Sequence, residues 1–344
     1  MKYRTMKMAG GCAVVWMAFA ALAPAADAPG FRKAKGFPVP GDGGFDYVVF
    51  DASANRLYVS HGTKVDVLDA KTGKVLGSVE DTPGVHGIAI VPGLHLGFAT
   101  NGGNATVSVF NTDTFATVKK IAVDQDPDFT LYDPRSKRVL VCHGDAAEIT
   151  AIDPETKSIV GKIRLGGGAE AAVLDGKGSG YVNLEEEAVV VKFDPESLAA
   201  TKRFPITGCK TPTGLAMDTS NNRLFIGCRS RVLAVMDAAN GKVLATLPIG
   251  ERVDAVAYDP ENRLIFASNW DGTISVVRQK SANEYEPAGD IQTQKSAKTM
   301  AIDPKTKRLF LSAAEMESAP AAAGQRARMR PKPGTFQIIV IERQ

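Results

Sequence analysis

Short apolar segments recur along the chain in pairs, and each pair is separated by a polar turn, usually built around aspartate and often followed by proline. In the clearest copy, an apolar run ending at Tyr258 leads through Asp259-Pro260 into a second apolar run at residues 264–267. The chemistry of an Asp-Pro turn between two β-type runs predicts a hairpin. The pattern therefore predicts a chain built from antiparallel strands.

The hairpin recurs at a nearly constant spacing. Its turn falls at positions 51, 91, 133, 175, 218, 259 and 303, which are 40 to 44 residues apart. A period of about 40–45 residues with four strands per unit is typical of a β-propeller. Apolar runs such as Val189-Val190-Val191 fit sheets that neighbouring blades cover on both faces. We therefore predict an all-β fold, a seven-bladed β-propeller with four-stranded antiparallel blades.

The last repeat lacks its outermost strand. Residues 33–39 align with the outermost strand of another repeat, residues 242–248, and Gly41-Asp42 then leads into the first blade as Gly250-Glu251 leads into the sixth. We predict that residues 31–39 complete the last blade, because this pairing closes the ring and leaves no open sheet edge.

Residues 315–333 form an insertion between the second strand and the next strand of the seventh blade. The insertion is rich in alanine and proline and carries Arg326, Arg328, Arg330 and Lys332. This composition favours a flexible, solvated loop. A basic lid or a partner-docking loop over the adjacent face is the functional alternative.

Residues 1–28 have the features of a secretory signal peptide. Basic residues precede an apolar run at 13–22, and small residues follow it. The run is too short to span a membrane as a helix. Cleavage is expected after Ala23 or Ala28. Residues 29–344 would then form one propeller domain without a membrane span, in the periplasm or outside the cell.

Charge and cysteine content refine this picture. The full chain has a formal net charge of +3, and removal of residues 1–28 leaves 38 basic and 37 acidic residues, so a nucleic-acid partner is not favoured.

The remaining cysteines are Cys142, Cys209 and Cys228. Cys209 and Cys228 belong to one repeat, at strand ends that meet on one face of a blade. A disulfide and a buried free thiol both fit.

The turn positions also locate the residues around one end of the central channel. In a propeller, the loops that join successive blades lie on the same face as the loops between second and third strands. The residue five positions before each turn is therefore expected at the channel mouth, and these residues are Asp46, His86, Asp128, Glu170, Thr213, Asp254 and Lys298. The second strands end beside them, at His61, Asn101, His143, Leu184, Cys228, Asn269 and Ala313.

Three histidines are thus expected to project to one face from consecutive blades: His61, His86 and His143. Imidazoles near carboxylates such as Asp46 and Asp128 are ligands that Zn²⁺ or Cu²⁺ takes. Histidine also suits general acid–base chemistry near neutral pH. We interpret the three histidines as candidate metal ligands. A polar channel lining, or contact with a ligand without metal, is the alternative.

Further side chains on the same face are candidate ligand contacts. Glu185-Glu186-Glu187 adds negative charge there, which favours cations or basic partners. A loop tryptophan and a loop arginine offer a stacking surface and an anion contact, although simple packing also explains a lone tryptophan. The candidate ligand-binding residues are Asp46, Asp128, Glu170, Asp254, Asn101, Asn269, Trp270 and Arg229. We expect a monomer that binds a small molecule or a protein.

The ends of the second strands carry a family resemblance. Tyr58-Val59-Ser60-His61, Phe98-Ala99-Thr100-Asn101 and Phe266-Ala267-Ser268-Asn269 occur with hairpins such as Asn240-Gly241-Lys242-Val243. With its Asp-Pro turns, the chain resembles the YncE-like, YVTN-repeat family of exported bacterial seven-bladed propellers. The resemblance implies the fold and export, and it covers a superfamily of binding proteins, lactonase-like and lyase-like enzymes and metal-handling proteins. His61, His143 and Leu184 stand where the family has asparagine.

Two classes of function follow from these patterns. The first is an exported binding or scaffold protein that uses the polar channel mouth to bind a small ligand, a metal ion or a protein. The second is a lactonase-like hydrolase or lyase, in which a channel-mouth histidine acts as base and a bound cation as electrophile. We favour the first, because no nucleophile–base–orienter set can be read from the sequence and propellers carry many unrelated functions.

Overall fold

The computed structural model describes residues 28, 30–319 and 329–344. The expected signal peptide, residues 1–28, therefore lies outside the described residues except for Ala28. The middle of the insertion, residues 320–328, also lies outside them. No helix in the described part of the chain is long and apolar enough to cross a membrane.

Seven antiparallel sheets form the blades, and the prediction of a seven-bladed propeller is confirmed. From the channel outward, blade 1 contains Phe45–Asp51, Arg56–His61, Lys64–Asp69 and Val75–Val79, and blade 2 contains Val85–Val91, Leu96–Asn101, Thr106–Asn111 and Thr117–Ala122. Blade 3 contains Pro127–Asp133, Arg138–His143, Glu148–Asp153 and Ser158–Arg164. A short 3₁₀ turn, Pro92–Leu94, joins the first two strands of blade 2.

The remaining blades repeat the same order of strands. Blade 4 contains Ala169–Leu174, Gly180–Leu184, Val189–Asp194 and Ala199–Pro205, and blade 5 contains Pro212–Asp218, Arg223–Cys228, Val232–Asp237 and Val243–Pro248. Blade 6 contains Val253–Asp259, Leu264–Asn269, Thr273–Ser281 and Glu284–Gln292. Blade 7 contains Met300–Ile302, Leu309–Ala313 and Gln337–Arg343, and its outermost strand comes from the other end of the chain.

The N-terminal segment closes the ring as predicted. Two short strands, Phe31–Lys33 and Phe37–Pro38, both pair antiparallel with Gln337–Arg343. Between them, the Ala34 N–H donates to the Val340 carbonyl at 2.8 Å. The innermost strand of every blade contacts that of the next, including blade 7 against blade 1. The last blade is thus completed by sequence that precedes the first.

The turns between first and second strands have a common construction. A buried aspartate side chain accepts backbone N–H groups from the residues that follow it, as at Asp51, Asp133, Asp218, Asp259 and Asp303. Four residues later the chain adopts a left-handed conformation, with φ between 53° and 61° at Asn55, Lys137, Asn222, Arg263 and Lys307. Aspartate is favoured at such turns because its side chain satisfies the turn's own backbone donors. This construction explains the repeating aspartates of the sequence.

The core is divided among the junctions between blades. Seven clusters of buried apolar side chains are present in the described residues, one at each junction, and every cluster draws on two neighbouring blades. At the junction of blades 5 and 6, for example, Phe225 and Val235 pack with Ile265. Because each blade is covered on both faces, its middle strands are almost continuously apolar.

The base of the insertion in blade 7 is a small sheet rather than an unstructured loop. Met316–Ser318 pairs antiparallel with Met329–Pro331. Arg330 pairs with Glu317 at 2.8 Å, and Lys332 pairs with Glu315 at 2.7 Å. The described ends of the insertion are therefore held together beside the channel-mouth face.

A disulfide joins Cys209 and Cys228 in blade 5, with 5.5 Å between their Cα atoms. Cys209 precedes the innermost strand, and Cys228 ends the second strand. Cys142 is a buried free cysteine. Of the two readings that the sequence left open for Cys209 and Cys228, the structure contains the disulfide.

Replacing both cysteines, as Cys209→Ser with Cys228→Ser, should lower the free energy of unfolding by about 3 kcal/mol, because the bond closes a loop with a sequence separation of 19. Chemical denaturation with and without reductant measures this. The wild type should lose stability on reduction, whereas the double variant should not respond to it. Equal stability of the oxidised wild type and the double variant would contradict the expectation.

Candidate functional site

A β-bulge sits at the channel-mouth position in six blades. The pairing of the innermost strand with the second strand shifts register there, between Phe45 and Val48 in blade 1 and at the equivalent points of blades 2 to 6. The residues within or beside these shifts are Asp46, His86, Asp128, Glu170, Thr213 and Asp254. A bulge re-aims a side chain relative to the regular strand, which explains why these positions can face one another.

Side chains from the first three blades meet at the channel mouth. His86 Nδ1 lies 2.7 Å from Asp46 Oδ2 and 3.6 Å from Asp128 Oδ1. The potential ligand atoms of the three residues all lie within 4.8 Å of one another, and the described residues contain no second group of this kind. Asp128 Oδ1 is buried and has no hydrogen-bond partner in the described part of the chain. The structure therefore brings together an imidazole and two carboxylates.

Basic side chains complete the ring of charge. Lys298 Nζ lies 3.1 Å from Asp46 Oδ1 and 4.0 Å from Asp254 Oδ2. Arg229 bridges two carboxylates, at 2.8 Å from Glu185 and 3.7 Å from Asp254. These ion pairs connect blades 7, 1 and 6 on one side, and blades 4, 5 and 6 on the other.

The surroundings shift the pKa values of the ring in opposite directions. Burial would raise the pKa of Asp46, but the Lys298 charge and the His86 hydrogen bond outweigh burial and lower it. The hydrogen bond to Asp46 raises the pKa of His86. Burial, with the nearby Asp46 charge, raises the pKa of Asp128 to about 7. Burial, with the Asp128 charge, raises the pKa of Glu170 to about 9. Adjacent carboxyl groups thus favour different protonation states near neutral pH.

An acidic cavity of about 480 Å³ adjoins this group between blades 3 and 4. Its lining includes Asp126, Asp128, Asp145, Glu170, Glu185, Glu186 and Glu187, and no lysine or arginine of the described residues lines it. The negative potential of such a wall attracts cations. The predicted acidic patch therefore lies directly beside the imidazole–carboxylate group.

The three histidines proposed as metal ligands do not share one site. His61 is buried, with Nδ1 at 2.7 Å from Asp66, and His143 is buried, with Nε2 at 2.9 Å from Thr150. Each bonds to the third strand of its own blade, so each holds the adjacent loop instead of facing the channel. Burial lowers the pKa of His143, which favours its neutral form. Of the three, His86 alone belongs to the imidazole–carboxylate group described above.

The two candidate asparagines stand at the position of the repeat that His61 and His143 occupy in their own blades, the end of the second strand. Asn101 donates to Thr106 and Ser108 of blade 2, and Asn269 donates to Thr273 and Ser275 of blade 6. Both side chains are fully buried. The end of the second strand thus has a repeated role, in which a polar side chain fastens the start of the third strand.

Trp270 lies apart from the ring. Its indole contacts the Arg252 guanidinium, at 4.9 Å from the ring centroid, and it lines a cavity of about 880 Å³ together with Met316 and Phe336 of blade 7. Trp270 therefore lies on blades 6 and 7, and its role as a stacking surface for a ligand stays a prediction. Trp270 is separate from the cavity of blades 3 and 4.

The sequence did not predict two features of the site, the position of Tyr47 and the apolar central channel. Tyr47, next to Asp46, lines the central channel, and its ring packs on Phe129 at a centroid distance of 5.5 Å. Burial and the carboxylates of the ring, Asp128 foremost among them, raise the pKa of Tyr47 well above its usual value. The channel beyond it is a cavity of about 650 Å³. In the sequence, Tyr47 and the apolar residues after it have the pattern of an ordinary strand, and their position in a channel follows only from the assembly of seven blades.

Comparisons with known proteins support the fold. No family model matches the chain. A chain of hydrazine synthase from Kuenenia stuttgartiensis has a TM-score of 0.70 and 17% identity, covering 79% of this chain and 94% of that one. The pre-rRNA-processing protein IPI3 of Meyerozyma guilliermondii is 26% identical over 178 residues, which span 50% of this chain and 37% of that protein. The structural likeness shows the propeller fold alone, and the YncE-like assignment stays a prediction.

The raised pKa of Asp128 predicts a pH-dependent stability. Its carboxyl has an ordinary pKa of 3.8 in the unfolded chain and about 7 in the folded protein. Between these values the unfolded state releases a proton that the folded state keeps, so the free energy of unfolding should fall as pH rises towards 7. The raised pKa of His86 acts in the same direction, because its contribution is also lost as pH rises.

Denaturant titrations at pH 5, 6, 7 and 8 measure this slope. Asp128→Asn should remove about 1–3 kcal/mol of the decrease in unfolding free energy between pH 5 and pH 8. Asp145→Asn is the matched control, because Asp145 is an exposed carboxyl of the same acidic wall. If Asp128→Asn and Asp145→Asn retain the same slope as the wild type, the assignment of the titrating group to Asp128 is wrong.

Proposed function

We propose that this protein is an exported propeller that binds a divalent transition-metal ion, Zn²⁺ or Cu²⁺, at its channel mouth. The single observation that carries the proposal is the convergence of the His86, Asp46 and Asp128 ligand atoms within 4.8 Å of one another. One imidazole and two carboxylates supply nitrogen and oxygen ligands that suit these ions, and three protein ligands leave a position for water or a small ligand.

The contacts within the group suit this role. The 2.7 Å contact between His86 Nδ1 and Asp46 Oδ2 is too short for an ion to lie between those atoms, so binding would replace the shared proton and separate the two groups slightly. Asp128 Oδ1 is a buried acceptor without a hydrogen-bond partner in the described residues. A buried carboxylate oxygen is costly when unpaired, and a cation would satisfy it.

The charge around the group favours arrival of a cation from one side. The acidic cavity of blades 3 and 4 opens next to Asp128, and its potential would raise the local concentration of cations. Lys298, at 3.1 Å from Asp46, opposes a cation from the other side. The acidic cavity is therefore the proposed entrance.

Export is supported by the disulfide between Cys209 and Cys228, because such bonds persist in oxidising compartments and are rare in the cytosol. Ala28 is buried, and its N–H donates to the Asp290 carbonyl at 2.9 Å. This contact would be lost if the signal were cleaved after Ala28, so we propose cleavage after Ala23.

Calorimetric titration of metal-stripped, untagged protein with zinc or copper salts tests the metal site. We expect one ion per chain, no binding at the mouth in His86→Ala, and binding weakened at least about tenfold in Asp128→Asn. His95→Ala is the matched control, because His95 is an exposed histidine that pairs with Asp113 at 3.0 Å. Its replacement should leave the affinity unchanged.

Binding that survives in His86→Ala, or that is lost in His95→Ala, would overturn the proposed site.

A lactonase-like hydrolase remains the second candidate, since Asp128 has a pKa of about 7 beside His86 and such a group is poised for general base chemistry. Turnover in a panel of lactones and esters that disappears in His86→Ala would favour the enzyme over the binding protein.

A further inference from the structure

The central channel contains a second candidate site, on the inner side of the charged ring. A cavity of about 650 Å³ runs from Tyr47 and Asp254, at the channel mouth, to Pro92 and Pro134, beside the turns of the opposite face. Residues of all seven blades line it. Its volume lies within the range of about 300–1,000 Å³ that is usual for small-molecule sites.

The walls of this cavity are mostly apolar. Along the innermost strands they present aliphatic and aromatic side chains such as Val49, Leu131 and Phe129, and small residues such as Ala255 and Ala301 leave the space open. A polar solute would lose its hydration there without gaining partners. The body of an occupant must therefore be apolar.

The channel-mouth end of the cavity is polar and acidic. The Asp254 carboxylate lies 3.7 Å from Arg229 and 4.0 Å from Lys298, but Arg229 is closer to Glu185, at 2.8 Å, and Lys298 is closer to Asp46, at 3.1 Å. Carboxylates therefore outnumber lysine and arginine within this network. Because both basic side chains lie closer to another carboxylate, Asp254 is the acidic group of this network that can pair most readily with an added cation.

We propose that the central channel binds an apolar molecule that carries a protonated amine, with the apolar body against the channel walls and the ammonium group at Asp254 and Tyr47. The ammonium donates hydrogen bonds, and a carboxylate and a phenol oxygen both accept them. Charge-assisted hydrogen bonds of this kind distinguish an amine from an uncharged analogue of the same shape.

The residues of this site differ from those of the proposed metal site, although Lys298 contacts a carboxylate of each. The channel site uses Asp254, Tyr47 and the channel walls, whereas the metal would be held by Asp46, His86 and Asp128. Failure of one proposal therefore leaves the other open, provided that metal is removed with a chelator while the channel is tested.

Fluorescence titration with N-phenyl-1-naphthylamine, an apolar probe, tests occupancy of the channel. Ala255→Phe should abolish the signal, because Ala255 lines the cavity and belongs to none of the buried core clusters in the described residues. Val118→Phe is the matched control, since Val118 is 51% exposed on an outermost strand. It should bind the probe as the wild type does.

Displacement of the probe by octylamine, octanol and octanoate tests the head group. Octylamine should displace it at a concentration roughly tenfold lower than octanol requires, and octanoate should be the weakest. Asp254→Asn should remove the preference for the amine while the probe still binds. No probe binding, binding that persists in Ala255→Phe, or equal displacement by the three compounds would each overturn the proposal.

Discussion

Closure of the ring is the constraint on which the rest of the structure depends. The two N-terminal strands pair with Gln337–Arg343, so the first and last blades are held together by main-chain hydrogen bonds. At the same junction the Asp46 carbonyl accepts hydrogen bonds from the Thr299 and Ser312 hydroxyls. As a result, Lys298 contacts Asp46 across a sequence separation of 252 residues. Without closure, the channel would have no fixed radius and the ring of charge would not exist.

Closure of the ring does not by itself orient the channel-mouth side chains towards one another. The β-bulges of blades 1 to 6 do this. In blades 1 to 6 the register shifts where the channel-mouth residue stands. The bulge in blade 1 is held by Ser60, whose hydroxyl accepts from the Asp46 N–H and donates to the Tyr47 carbonyl. In blade 2, Thr100 accepts from the Gly87 N–H and donates to the Asp128 carbonyl of the next blade. A hydroxyl near the end of the second strand thus fixes the position of a channel-mouth side chain.

The charged residues at the channel mouth differ in their electrostatic surroundings. Asp128 and Glu170 form no salt bridge with a lysine or arginine of the described residues, whereas Asp46 and Asp254 share Lys298. Burial consequently raises the pKa of Asp128 and Glu170, while Asp46 stays ionised. Similar residues at equivalent positions of the repeat have acquired different chemical properties from their neighbours. This asymmetry distinguishes the proposed site from the rest of a repetitive surface.

Much of the fold could be predicted from the sequence because it depends on local chemistry that repeats. The aspartate turns, the apolar runs and the incomplete last repeat led to seven blades and to the closing strand at residues 31–39. The site was harder to predict. The count from the turns placed Asp46, His86 and Asp128 together, but it could not show that His61 bonds inward to Asp66 or that His143 bonds to Thr150. Both outcomes depend on which way a strand end faces, which the repeat period does not specify.

The apolar channel could not be predicted from the sequence either, for a related reason. Residues such as Val49, Leu131 and Ala255 resemble ordinary core positions, because an apolar side chain on an innermost strand has the same pattern whether it packs against a neighbour or lines a cavity. The free volume is set by the distance across seven strands. Glycines contribute to this geometry, since a Cβ on Gly87 would meet the Asp128 carbonyl oxygen at 2.5 Å, so that glycine permits the close approach of two innermost strands.

The central claim is that closure and bulging create a metal site from Asp46, His86 and Asp128. Anomalous diffraction at the zinc absorption edge, from crystals of the protein soaked in Zn²⁺, tests it most directly. We expect the strongest anomalous peak between these three side chains, next to the acidic cavity. A strongest peak elsewhere, such as beside His95 and Asp113, with no peak at the channel mouth, would contradict it.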